Sequence, residues 1–228
     1  MRKAILILVM AVSAIYFFSS CERESSADVN QDRIFVLYEL VYDKTNDMTY
    51  ARSTFFFGSI TGTRLELADG SSVSFNETQL GFQEALAYYE TQMTGYVNTG
   101  EFSWTDLDGN KFVNTPIVHE IDFPATLDTI VKGQAYELSW VGDSLTTNEQ
   151  VYAFVNGTAE NDEIHVYQTT QYATKLFITA AQTEKLTVGT NTIFMRRRLD
   201  LDPQEATSAG ATCSGIYETL TVNIEVKE

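Results

Sequence analysis

The sequence predicts an all-β protein made of two β-sandwich domains, and three observations carry that expectation. From Arg33 onward, alternating apolar and polar segments recur about every ten to fifteen residues, bounded by turn residues. The chain holds 28 Thr, 14 Phe and 12 Tyr, residue types that fit a pleated, half-buried surface. Its 228 residues are enough for two domains of roughly 100 residues each. A hydrophobic fraction of 44% with 12% aromatics excludes a disordered chain. Fifteen Lys and Arg against 31 Asp and Glu leave a formal charge of −16. That balance argues against a nucleic-acid partner, because phosphate binding needs clustered cations.

Residues 1–20 read as an export signal: Arg2 and Lys3, an apolar run from Ala4 to Phe18, then Ser19 and Ser20. The run is shorter than the roughly 20 apolar residues of an ordinary membrane span. The ending Phe18-Ser19-Ser20-Cys21 resembles the lipobox of bacterial lipoproteins, of a style frequent in Bacteroidota. That resemblance implies cleavage before Cys21, a diacylglycerol on its thiol, and an outer-membrane location facing the periplasm or the cell surface. The membrane, reached through the lipid anchor, is then the first partner. Two or more acyl chains hold a protein stably where one does not. From the residues alone, an ordinary signal peptide and an uncleaved anchor stay open. Residues 21–32 are polar and without apolar periodicity, and are expected to form a flexible tether. Once Cys21 carries lipid, Cys213 is alone and no intrachain disulfide can form. It is expected to be a small buried or loop residue.

The folded part divides, on this reading, into residues 33–120 and 121–228. In the first, Arg33–Tyr42 and Met48–Phe57 flank a polar turn at 43–47 and read as a hairpin. Leu65–Leu67 and Val73–Phe75 flank Asp69-Gly70, and Glu101–Thr105 and Lys111–Val113 flank Asp108-Gly109; both read as tight hairpins. Residues 80–93 fit a short helix or a buried strand equally well. A boundary is placed near Pro124, followed by strand-like segments at about 117–123, 135–141, 150–156, 163–168, 175–180, 190–199 and 214–226. Gln182–Leu186 is expected to be a short turn or a single helical turn, and Asp200–Thr212 a flexible tip or a binding loop. Tyr136, Leu138 and Trp140 share one strand face, so Trp140 is expected in the core. The stretch from Ile121 to Gly142 resembles the opening of bacterial immunoglobulin-like modules, which implies an immunoglobulin-like second sandwich.

No catalytic residue and no cofactor are assigned. His119 and His165 sit outside any catalytic motif and read as structural or surface strand histidines. Asp106-Leu107-Asp108-Gly109-Asn110 echoes a calcium loop, but Ile117 stands where the bidentate Glu should be, so a tight turn is expected and no metal is assigned. Trp104 and Tyr96 are candidates for stacking on a ligand, among aromatics that also include Tyr88, Tyr89, Phe102 and Tyr172; inward packing in a β-sandwich gives the same list and is the expected reading. On a strand, Arg197 must point opposite to Arg196 and Arg198; a solvated strand end is expected, the alternative being a buried or interfacial partner among the acids, such as Asp200 or Asp202. Asp128-Thr129-Ile130 and Asp143-Ser144-Leu145 resemble the acceptor motif for O-linked glycans on exported Bacteroidota proteins, which makes Thr129 and Ser144 candidate acceptors. The function expected is a membrane-anchored, non-catalytic binding or assembly module whose partner is an envelope protein or a glycan. A glycan-capture accessory of a nutrient importer and a small hydrolase using a carboxylate pair are the alternatives.

Overall fold

The computed structural model describes residues 23–156 and 162–228; the signal segment and Cys21, with the lipid expected on it, lie outside the described residues. The described chain is nearly all β. Its strands are β1 (Arg23–Ser25), β2 (Ile34–Asp43), β3 (Met48–Phe57), β4 (Arg64–Glu66), β5 (Ser72–Phe75) and β6 (Thr78–Gln79). They continue as β7 (Gly81–Gln83), β8 (Tyr88–Thr94), β9 (Phe102–Thr105), β10 (Lys111–Asn114), β11 (Ile130–Val131) and β12 (Tyr136–Ser139). The last six are β13 (Glu149–Asn156), β14 (Ile164–Gln168), β15 (Lys175–Ile178), β16 (Gly189–Leu201), β17 (Ala211–Glu218) and β18 (Val222–Lys227). One α-helical turn among the described residues, α1 (Ala180–Thr183), precedes β16 and is opened by a capping box between Thr179 and Gln182; 3-10 turns lie at Ser26–Asp28 and Gln31–Arg33.

The backbone of the molecule is one sheet with strand order β1-β4-β3-β2-β17-β16-β13-β14. Strands β2 and β3 form the expected long hairpin around the 43–47 turn. Strands β9 and β10 form the expected tight one, where Gly109 takes φ +82°, a backbone region that disfavours any side chain. Asp69-Gly70 does not make a hairpin. Its flanks separate, because β4 pairs with β3 while β5 pairs with β9 in a second sheet ordered β10-β9-β5-β6. Residues 80–93 resolve into two strands, β7 and β8, joined by a turn in which Ala87 has φ +50°. The expected single segment 214–226 is two strands, β17 and β18, broken at residues 219–221.

The second sheet faces the first through aromatic side chains. Phe102 meets Tyr38 at 5.2 Å between ring centroids, and Trp104 meets Phe55 at the same separation. Farther along, Tyr136, Leu138 and Trp140 are buried beside Leu176 and Ile178 of the β12–β15 pair, in the same core as Val151, Ala153 and Met195. Sheets that face each other this way bury their inward set and leave alternate residues outside.

The division expected at 120/121 is not where the main sheet divides. Strand β17 runs parallel to β2 over eight residues, from Ala211↔Val36 to Glu218↔Asp43. Strand β16 is long enough to serve both halves: residues 189–193 pair with β18, and residues 196–201 pair with β17. The chain therefore returns to its first half after building most of its second. Gly215 marks the crossing, because a Cβ there would lie 1.8 Å from the carbonyl oxygen of Ile117. Cys213 is free and buried on β17, and burial pushes its thiol up to about 12.

The N-terminal stretch is a correction of another kind. Residues 23–32, expected as part of a tether, are docked. Strand β1 pairs with β4, Ser26 is fully buried, and the Ser26 Oγ accepts from Ala68 N at 2.9 Å. Gln31 is also buried, donating to the carbonyls of Ser26 and Val29 and accepting from Leu107 N at 3.3 Å.

Candidate aromatic binding face

The two aromatics proposed for stacking are not available for it. Trp104 is 1% exposed; its indole N–H donates to Ser71 Oγ at 3.1 Å and its ring stacks on Phe112 at 4.9 Å. Alternation along β9 turns it inward with Phe102, which is why it fills the core. Tyr96 is half-buried among Tyr42 and Tyr217, and its hydroxyl donates to the Val118 carbonyl at 2.7 Å. Burial and nearby Glu120 push that phenol up to about 12, although Arg197 opposes the shift. These side chains hold strands together.

An exposed aromatic face does exist, on the outer side of β13, β14 and β16. On β13, Val151, Ala153 and Val155 are buried while Gln150, Tyr152 and Phe154 turn outward. On β14, Ile164 and Val166 turn inward, leaving His165 and Tyr167 outside. On β16, Ile193, Met195 and Arg197 are buried, so Phe194, Arg196 and Arg198 face out. The register sets Tyr152 against both Tyr167 and Arg196, and Phe154 against both His165 and Phe194. Ring centroids lie 4.9 Å apart for Tyr152 and Tyr167 and 4.8 Å for Phe154 and His165. Phe194 lies 5.9 Å from Tyr152. The Tyr152 hydroxyl and His165 Nδ1 are hydrogen-bonded at 2.6 Å, which fixes both rings. Tyr167 is 63% exposed, an open ring surface at the last strand of the sheet.

The charges beside these rings are already balanced. Arg196 pairs with Glu218 on β17, and Arg198 bonds Glu39 at 3.1 Å, Asp200 at 2.7 Å and Ser214 at 2.9 Å. A cleft of about 410 Å³ is lined by Gln150, Tyr152, His165, Tyr167, Phe194 and the two arginines, with no carboxylate in its wall. In a chain of net charge −16, this is a patch of rings and neutral or neutralised donors. A larger opening, about 740 Å³, lies along residues 66–73 and 79–82. Its two rings, Phe82 and Tyr89, pack on each other at 4.9 Å; Tyr89 is buried, and half-buried Phe82 has the Arg23 guanidinium 5.4 Å from its ring centroid.

The arginine triplet also departs from a solvated strand end. Arg197 is 1% exposed and donates from Nε and Nη2 to the two oxygens of Glu149, each at 2.8 Å. Its remaining donors reach the carbonyls of Glu120, Asp143 and Ser144. Glu149 in turn accepts from Thr146 N at 2.6 Å and bonds His119 Nδ1 at 2.7 Å. Burial raises the Glu149 carboxyl, but Arg197, the Thr146 N–H and His119 outweigh it and hold the group at about 2. A carboxyl whose folded value lies below its ordinary 4.5 contributes stability that is complete above that value and is lost as pH falls toward 2. The unfolding midpoint in urea is therefore expected to fall between pH 4.5 and 2. The pH-dependent part of that fall should shrink in Glu149→Gln, measured against the same variant at pH 7.

Thr129 and Ser144 both lie in loops and are half-buried. Thr129 precedes β11, and the Ser144 carbonyl is one of the Arg197 acceptors. The Asp106–Asn110 loop is a closed turn: both Asp106 oxygens accept from Asn110, at 2.8 and 2.9 Å. Among the described residues no group of His, Cys, Asp and Glu is arranged to hold a metal. His165 is a surface strand residue, whereas His119 lies outside the strands.

No family model matches the chain, and no curated protein sequence matches it. Among solved structures, it is similar to a chain of a cytokine receptor complex, with 11% identity over 84% of this chain and 95% of that one, at a TM-score of 0.31. A tetra-tandem repeat from the extending region of a large adhesion protein matches with 15% identity over 84% and 49% of the two chains, at 0.27. The SGBP-B protein of the Bacteroides ovatus mixed-linkage glucan utilization locus, in complex with a mixed-linkage heptasaccharide, matches with 8% identity over 79% and 53%, at 0.26. At these scores none of them fixes the ligand or the strand topology of this chain.

Proposed function

We propose that this protein is a membrane-anchored, non-catalytic binding module of a bacterial envelope, and that the outer face of β13, β14 and β16 captures a neutral glycan. The observation that carries this reading is the exposed ring of Tyr167, with half-buried Tyr152 and Phe194 lining the same cleft, beside guanidiniums whose charge is already balanced. A pyranose ring offers an apolar C–H face that packs on an aromatic plane, and its hydroxyls need donors and acceptors at the edge. Gln150, the tyrosine hydroxyls and the arginine N–H groups supply them. A cleft without a carboxylate in its wall gives a hydrolytic acid pair no support at this face.

The test is retardation of the purified chain in gels containing neutral polysaccharides, compared with Tyr167→Ala. Loss of one exposed ring is expected to weaken binding about tenfold, equivalent to roughly 1.4 kcal/mol. Retardation that Tyr167→Ala leaves unchanged would move the ligand elsewhere. Capture of an envelope protein with no glycan retained would favour the assembly reading.

The anchor is tested separately. Labelled palmitate is expected to mark the wild type, and Cys21→Ser should lose both label and membrane association. An unlabelled wild type would remove the lipid.

A further inference from the structure

We infer that the end of the sheet where β3 stops and β1 and β4 begin is a membrane-docking surface that seats the module directly on the bilayer. The inference rests on the anchored reading of the N-terminus and goes beyond it, because an anchored protein can equally hang from a loose tether. Only Glu22 separates Cys21 from the first paired residue, Arg23. With consecutive Cα atoms about 3.8 Å apart, the lipid-bearing residue lies within about 8 Å of β1. Strand β1 is not free to lift away: it pairs with β4 at three positions, and Arg23 bonds Glu66 at 3.3 Å. Buried Ser26 and Gln31 fasten the residues that follow.

The surface found there has the composition that a lipid headgroup region accepts. Phe57 is 38% exposed, Ile60 48% and Leu86 56%, three of the large apolar side chains the molecule leaves in solvent. They stand among three arginines. The Arg33 guanidinium lies 5.7 Å from the Phe57 ring centroid, Arg64 bonds the Leu86 carbonyl, and Arg23 is the register partner of Arg64. Ile60 lies in the turn that Phe57 N closes onto the Thr63 carbonyl at 2.9 Å. Acids are close by as well: Glu84 is exposed in the β7–β8 turn, and Asp32 is engaged by Ser208. Arginines beside exposed apolar side chains suit an interface where the apolar groups enter the acyl boundary and the cations meet phosphate. The register carries the aromatic face away from that end: Phe57 pairs with Ile34 at one end of β2, while Asp43 at the other end pairs with Glu218, and Glu218 with Arg196. Nine residue steps along β2, from Ile34 to Asp43, at about 3.3 Å each set the two on the order of 30 Å apart.

The test uses the full-length anchored chain in vesicles of phosphatidylethanolamine and phosphatidylglycerol carrying headgroup quenchers. A dye is placed at Ile60→Cys or, on the β14–β15 loop, at Tyr172→Cys, which is 74% exposed in the wild type. Cys213 is buried and stays unlabelled in folded protein. The Ile60 label is expected to be quenched roughly threefold or more above the Tyr172 label, and Phe57→Ser with Leu86→Ser should reduce that difference. Equal quenching of both labels in a chain that pellets with vesicles would overturn the docking surface while leaving the anchor intact. A chain that never pellets would overturn both.

Discussion

Replacing Arg197 by methionine is expected to destabilise the fold by about 3–5 kcal/mol, because it strands a buried carboxylate and three carbonyls without their donor. Glu149 has no exposed side-chain surface, and the carbonyls of Glu120, Asp143 and Ser144 all accept from this one guanidinium. The loss should appear as a lower urea midpoint at pH 7 with an unchanged slope. The double variant Arg197→Met with Glu149→Leu should recover much of it, since the penalty comes from an unpaired buried charge and not from the absence of the pair. A near-wild-type midpoint for Arg197→Met alone would mean that the pair is solvated. The position matters for function as well. Arg197 lies between Arg196 and Arg198 on β16, so the pair that closes the core beneath also sets the strand that carries Phe194 and the two outward arginines of the aromatic face.

Trp104→Ala is expected to cost a similar amount, about 3–5 kcal/mol, by leaving a cavity beside Phe55 and Phe112. Thermal unfolding should show the loss, while glycan retention at a temperature where the variant is folded should match the wild type. Reduced retention with unchanged stability would return Trp104 to the ligand surface.

The contrast between Trp104 and Tyr167 shows which part of this protein is legible in its sequence. Period-2 alternation located β3 at its observed bounds and placed Trp140 in the core. Alternation also said that Arg197 points away from its neighbours. It could not name Glu149, 48 residues distant, because the partner is chosen by the pairing of β13 with β16. Asp69-Gly70 illustrates the same limit: turn chemistry bends the chain but does not decide that β4 and β5 join different sheets. The aromatic face did leave a signal, namely aliphatic residues at Val151, Ala153 and Val155 with rings at Tyr152 and Phe154 between them. Rings on the polar side of a strand whose other side is already aliphatic are the mark of an exposed surface. The docking of residues 23–32 left none, since it depends on a few backbone pairs and on Ser26 and Gln31, not on apolar periodicity.

The most direct test of the glycan face is a nuclear magnetic resonance titration of the folded chain with a neutral oligosaccharide drawn from a retained polysaccharide. Shifts concentrated on Gln150, Tyr152, His165, Tyr167 and Phe194, with Trp104 and Tyr96 unmoved, are the expected result. Shifts centred on the opening along residues 66–73 and 79–82, with Tyr152 and Tyr167 unmoved, would contradict it.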